Sequence, residues 1–189
     1  MNTPAHMILG MAAFGKRDRT GVTMAAAAGG FAPDLSLFVM VGVSVYVLGI
    51  DPRQVFGQLF YSEEWQRVFA IDNSFFLWGL VLAAGWWWRR AALSAFAASG
   101  LLHVVFDFLL HNGDARMHFW PLSTWKFASP VSYWDSRFFG DIVGPLELIG
   151  ALALCVWMLW RFRGWVLRGL VVVLGAAEVA SSHIWHQLF

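Results

Sequence analysis

Long apolar runs occupy most of this chain and dictate what it can become. Residues 21–50, 73–88, 91–110, 142–160 and 165–185 carry only Asp34, Asp107, Glu147, Arg168 and Glu178 as formally charged side chains. A helix of roughly 20 apolar residues matches the hydrocarbon thickness of a bilayer, and a helix satisfies its own backbone polar groups there. The expected fold is therefore all-α: a polytopic integral membrane helical bundle of about four to five spans, one membrane domain over residues 1–189. Composition agrees, since 59% of residues are hydrophobic and 13% charged, whereas soluble domains carry about 25% charged residues. The 13 basic and 12 acidic residues nearly cancel and form no basic patch, so nucleic acid is not an expected partner. The single cysteine, Cys155, sits in an apolar run, which argues against a disulfide framework, a thiolate cluster or a thiol nucleophile. The chain also lacks a phosphate-cradling glycine loop, a dinucleotide fingerprint and a Gly-x-Ser-x-Gly elbow, which disfavours nucleotide-driven chemistry and serine hydrolysis.

Helix punctuation organises the runs. Thr3 before Pro4 reads as a cap ahead of a proline at the first helical position, so residues 4–14 are expected to form a half-helix too short to span. Lys16, Arg17 and Arg19 follow it instead of a small-residue cleavage site, so this segment is expected to be retained. Gly29, Gly30, Pro33 and Asp34 interrupt residues 21–50, which predicts a broken helix at Pro33-Asp34 with freed backbone groups facing protein or a cavity. The sequence Trp86-Trp87-Trp88-Arg89-Arg90 marks an aromatic belt and then a membrane surface. Residues 112–141, rich in Trp, Pro and Ser, are too polar to span. If the spans alternate, Lys16, Arg17, Arg19, Arg89, Arg90, Arg161, Arg163 and Arg168 share one side with a single acid, Asp18. The positive-inside rule makes that side cytoplasmic and turns the two long loops toward the periplasm or exterior of a bacterial inner membrane.

Ionisable groups inside spans are costly and mark functional sites by default. His103, Asp107 and His111 recur every four residues, which stacks them on one face of a predicted helix. Imidazole and carboxylate are the usual ligands of zinc and related divalent ions, and Asp107 equally suits a supporting role holding a histidine tautomer. Hydrogen bonding to neighbouring helices is the bland alternative. Asp34 offers either a carboxylate to the same site or a helix cap. His6 is either a ligand delivered by the half-helix or a surface histidine. His118 in the loop approaches the site or is solvated; His183 and His186 form a second metal pair or an interfacial anchor, with Glu178 deeper in that span. Glu147, just after Gly144-Pro145, is a candidate proton acceptor or a helix-start carboxylate.

An early histidine in Pro4-Ala5-His6, Pro33-Asp34, His103-x-x-x-Asp107 and a following Phe119-Trp120-Pro121-Leu122 together resemble the YdjM-type membrane-bound metal-dependent hydrolases. The resemblance covers residues 1–160. It implies a membrane-embedded relative of zinc-dependent phospholipase C, with His6, Asp34, His103 and Asp107 as metal ligands and a phosphoester as substrate. One departure stands out: where that family has an Arg-Gly-x-x-His-Ser segment, this chain reads Ala70-Ile71-Asp72-Asn73-Ser74. Asn73 then occupies the place of a ligand histidine, and Asp72 beside it is a substitute ligand or catalytic carboxylate.

The expectation is a membrane hydrolase in which one or two divalent ions, zinc or manganese, activate water against a phospholipid or polyprenyl phosphate. Asn73, Asp72 or His111 would complete the shell, and Glu147 would accept a proton. The alternative is a non-catalytic helical subunit of a larger membrane complex, its polar residues serving as interhelical partners. A haem or proton-transport role ranks lower, because His103 and His111 on one helix cannot be the two axial ligands of one haem.

Overall fold

The computed structural model describes the backbone of residues 1–188 and the side chains of residues 1–182. Every apolar run folds as helix, and among the described residues there is no strand. Helix α1 (Thr3–Phe14) is the expected half-helix, followed by α2 (Thr20–Phe31). A 3-10 turn (Ala32–Asp34) joins α2 to α3 (Leu35–Gly42), which runs into a π-helical stretch (Val43–Val47). Two loop helices, α4 (Pro52–Gly57) and α5 (Glu63–Asp72), precede α6 (Phe75–Trp87), α7 (Ala91–Leu110), α8 (Gly140–Arg161) and α9 (Trp165–Leu188).

Five stretches are long and apolar enough to cross a membrane: Thr20–Val47, Glu63–Trp87, Ala91–Leu110, Gly140–Arg161 and Trp165–Ser182. The second begins earlier than its apolar run, since α5 continues almost directly into α6; Ser74 caps α6 by accepting from the Leu77 N–H at 3.2 Å. The first is bent, not severed. Gly29 and Gly30, expected to interrupt it, lie inside α2, and the change of helical type is confined to the turn at Pro33. The glycines are there for close approach. A Cβ at Gly29 would collide with the Phe96 carbonyl of α7, and one at Gly30 would sit 2.6 Å from the His6 carbonyl oxygen of α1. Their absent side chains let α2 press on both neighbours.

Polar and apolar residues are distributed inside out relative to a soluble protein. His6, Asn73, His103, Asp107, His118 and Glu178 are buried, while Val39, Val47, Leu80, Leu146, Ile149 and Val173 are exposed along the spans, as lipid-facing helices require. The main apolar cluster joins α1 (Ala5, Ile8, Met11) to α8 (Ala151, Cys155, Met158) and α9 (Leu167, Val171, Leu174). Helix α1 is thus wedged among the spans by its own apolar side chains. Exposed Trp86, Trp87, Trp160 and Trp165 ring the end where the basic clusters lie, the placement expected of an aromatic belt.

Candidate functional site

Two helices build the polar centre. His103 and Asp107 stand one turn apart on α7, and His6 is delivered from α1; each is about 2% exposed. The His6 and His103 rings stack at 3.5 Å between centroids and 11° between planes, and both present Nε2 to the same carboxylate. His6 Nε2 lies 2.9 Å from Asp107 Oδ1, and His103 Nε2 lies 3.1 Å from Asp107 Oδ2. One ligand atom from each of His6, His103 and Asp107 falls within 4.8 Å of the other two.

Two neighbours flank this trio. Asp34 Oδ1 is 3.6 Å from His103 Nε2, and Asp34 Oδ2 accepts the Thr3 hydroxyl at 2.5 Å. Asp34 therefore does not cap α3 through its side chain; its carboxylate faces the centre. Thr3, in turn, is the first residue of α1 and not its cap, a position that Asn2 takes. His111 on the other flank departs from expectation, because α7 ends at Leu110 and His111 has extended backbone, φ −114° and ψ 127°. It nevertheless reaches back, with Nε2 3.1 Å from Asp107 Oδ1.

Hydrogen bonds on the far sides of these rings define what the near sides offer. His103 Nδ1 is 2.7 Å from the Gly30 carbonyl oxygen. A carbonyl can only accept, so Nδ1 carries the hydrogen and, in the neutral ring, Nε2 is a lone pair. That lone pair faces Asp107 and Asp34. His111 repeats the arrangement, with Nδ1 2.7 Å from Asp114 Oδ2 and Nε2 turned to Asp107. A lone pair and a carboxylate are both acceptors. A hydrogen, on the imidazole or on the carboxyl group, or a metal ion has to lie between them. Histidines oriented by a carbonyl or carboxylate on one nitrogen are the usual support of a metal on the other, so the donor set fits a divalent ion.

His111 and Asp114 lie beyond the end of α7. Burial alone would pull the His111 imidazole down, but the Asp107 and Asp114 carboxylates outweigh it and raise its pKa to about 9. Burial pushes Asp114 the other way, and the His111 charge and hydrogen bond overcome it to hold Asp114 at about 2. Trp134 Nε1 also donates to Asp114 Oδ2, at 3.2 Å. A metal taking His111 Nε2 would displace a proton from it.

The remaining sequence candidates lie around this centre without hydrogen bonding to His6, His103 or Asp107. Glu147 Oε1 accepts the Asn2 backbone N–H at 2.7 Å, and Asn2 Nδ2 donates to Glu178 Oε1 at 3.1 Å, so Asn2 bridges the half-buried Glu147 and the buried Glu178. Its neighbours touch the centre itself: the Met1 nitrogen is 3.4 Å from Asp107 Oδ1 and Thr3 holds Asp34. The Asn73 amide donates to the carbonyls of Pro33 at 3.3 Å and Phe69 at 3.1 Å, tying α5 to the bend before Asp34. Asp72 turns its carboxylate toward Ser36 and its carbonyl accepts from Trp78 Nε1 at 2.6 Å. His118 is not solvated; it is buried, and its Nδ1 donates to the Asn73 carbonyl at 3.0 Å. The side chains of His183 and His186 lie outside the described residues.

Sequence reasoning read Thr3 only as a helix cap and did not single out Asn2 or Asp114 for the site. Asp114 was findable, since an acid three residues after a candidate ligand histidine is the pattern of a residue that orients it. No model of a protein family, no curated protein and no solved structure matches this chain.

Proposed function

We propose that the chain is a membrane-embedded, metal-dependent hydrolase of an amphipathic phosphoester, as its resemblance to the YdjM-type hydrolases implies. The observation that carries this reading is the pair of imidazoles whose Nδ1 hydrogens are committed elsewhere while their Nε2 atoms face Asp107. His6, His103 and Asp107 would hold a zinc or manganese ion, with His111 and Asp34 at its borders. Such an ion supplies a Lewis acid and an activated water. The Gly30 carbonyl and Asp114 fix the two imidazoles in the ligating tautomer. Glu147, linked through Asn2 to residues that touch the centre, is placed to hold a proton. Asn73 and Asp72 serve by positioning the Pro33 bend, and with it Asp34.

The eight basic residues gathered at the opposite end of the spans favour a bacterial inner membrane with the long loops, and the centre beneath them, on the periplasmic side. A phospholipid or polyprenyl phosphate entering from the bilayer is the substrate class this location suits. Elemental analysis of the detergent-purified protein tests the reading, with His103→Ala/Asp107→Ala as control and a fluorogenic phosphodiester as substrate. About one or two metal ions per chain, lost together with hydrolysis in the variant, are expected. Metal content no higher than the variant's after resupply would overturn it.

A second reading has its own support. Asp107 is already satisfied by His6, His103, His111 and the Met1 nitrogen, as a purely structural ionic knot would be. Under that reading the chain is a non-catalytic subunit, and the double variant loses stability or assembly without any loss of metal.

A further inference from the structure

Helices α8 and α9 each carry one acid on the face they turn to one another. The short connection between Arg161 and Trp165 makes them antiparallel neighbours. On α8 the packed positions Ala151, Cys155 and Met158 extend back to Glu147, and on α9 the packed positions Leu167, Val171 and Leu174 extend forward to Glu178. Steps of three or four residues keep each set on one helix face. Glu147 precedes the end of α8 by about as many residues as Glu178 follows the start of α9. At a rise of about 1.5 Å per residue the two acids therefore stand at the same depth.

One residue grips both. The backbone N–H of Asn2 donates to Glu147 Oε1 at 2.7 Å and its side-chain amide donates to Glu178 Oε1 at 3.1 Å. The two carboxyl groups also meet within hydrogen-bonding reach, and with each Oε1 taken by Asn2 the oxygens left to meet are the Oε2 atoms. Both Oε2 atoms are shut off from solvent, and no N–H or O–H donor among the described residues supplies either of them. Around the pair stand the Met1 nitrogen, Asp107 of α7, Tyr133 of the long loop and Cys155 of α8; His183 and His186 lie further along α9, their side chains outside the described residues. The Met1 nitrogen is turned to Asp107 at 3.4 Å, Asp107 adds negative charge, and phenol and thiol are ordinarily neutral at neutral pH. None of these groups sets a cation between the two acids.

Two ionised carboxylates are acceptors only, and like charges at one spot inside a span repel. A single hydrogen removes both defects, because the protonated group donates to the other and one negative charge disappears. We propose that Glu147 and Glu178 share one proton across their Oε2 atoms, forming a proton-binding site at the junction of α1, α8 and α9. The remaining negative charge lies against the two donors of Asn2 at the start of α1, the helix end that favours an anion. The shared proton thus lets two spans hold the half-helix that delivers His6. The site extends the proton-holding role given to Glu147 above, yet it depends on neither a metal nor hydrolysis.

Infrared spectroscopy and thermal unfolding of the full chain in detergent, both with a chelator present, test this apart from the metal centre. The proteins are wild type, Glu147→Gln, Glu178→Gln and the control Glu64→Gln, at an exposed position. A glutamine amide can donate an N–H to the facing carboxylate in place of the shared proton. The infrared absorption of one protonated carboxyl group is therefore expected in wild type and in Glu64→Gln, and its loss in Glu147→Gln and Glu178→Gln alike. Glutamate in the unfolded chain is ionised at neutral pH, so folded wild type binds one proton more and loses stability as rising pH removes it. Between about pH 6 and about pH 10, wild type and Glu64→Gln should lose about 3 °C or more of Tm beyond the loss in the two glutamine variants of the pair. If one of those variants does not fold, the other decides alone. Equal pH slopes in all four proteins, or a carboxyl absorption unchanged by both substitutions, would overturn the proposal. Sodium or lithium restoring the alkaline stability of wild type would overturn it as well, by putting a metal cation where the proton is expected.

Discussion

At the residue scale, a glycine does as much for the centre as the histidines. Gly30 brings α2 close enough for its carbonyl to take the His103 Nδ1 hydrogen at 2.7 Å, and its missing Cβ would meet the His6 carbonyl oxygen at 2.6 Å. Gly30→Ala therefore overpacks α1 against α2, and a loss of about 1–3 kcal/mol is expected. Gly150→Ala, where nothing lies within 4 Å, should be neutral in the same thermal unfolding experiment. If metal is bound, Gly30→Ala should also lower its occupancy by moving both stacked rings. His118 yields a pH prediction. Burial lowers its pKa to about 4 from the ordinary 6.5 of histidine, so the unfolded chain takes up a proton that the folded chain refuses. Its contribution to stability is complete above pH 6.5 and declines as pH falls toward 4, by about 3 kcal/mol at most. His118→Gln, which can still donate to the Asn73 carbonyl, should flatten that part of the stability profile measured between pH 7 and 4; an unchanged slope would refute it. Of the residues at the centre, His103 and Asp107 were legible from their four-residue spacing alone. Thr3 and Asn2 were not, because nothing local marks a hydroxyl or amide whose partners lie 31 and 145 or more positions away.

At the element scale, a half-helix cannot span and must be held by its neighbours. Helix α1 is anchored by apolar packing on α8 and α9 and by Arg161, whose Nη1 and Nη2 donate to the Ala12 and Gly15 carbonyls, each at 2.9 Å. These carbonyls are the unsatisfied acceptors at the C-terminal end of α1, where a cation is favoured. Arg161→Gln should cost about 2 kcal/mol and increase hydrogen exchange in residues 3–14 before it does so in α7. Equal exchange in both would show that α1 is not held separately. The bend at Pro33 was expected from composition; the continuity of α2 through Gly29 and Gly30 was not. Glycine is a poor helix former in isolation, but tight contact with α1 and α7 more than offsets that preference, and a propensity argument has no access to such contact.

At the scale of the whole molecule, the five alternating stretches place residues 16–19, 89–90 and 161–168 at one end and the two long loops at the other. A topology experiment follows. Leu122→Cys in the long loop, at a position 73% exposed, should react with a membrane-impermeant maleimide on intact spheroplasts. Asp18→Cys should react only after the membrane is opened, and Cys155, which is buried, should stay silent in both. The reverse pattern would invert the orientation. The residue order alone determined the helical membrane architecture, the positions of the spans apart from the early start of the second at Glu63, and the segregation of basic residues, because hydropathy and charge act over about 20 consecutive residues and need no partner. It also marked most of the ionisable groups that a membrane interior would expel unless they were used. Tertiary structure decided which of them meet. His6, Asp34 and His103 come from separate elements, and the Nε2 atoms of His103 and His111 are aimed by acceptors on another helix and on the loop, so the centre exists only once helix packing has set those distances.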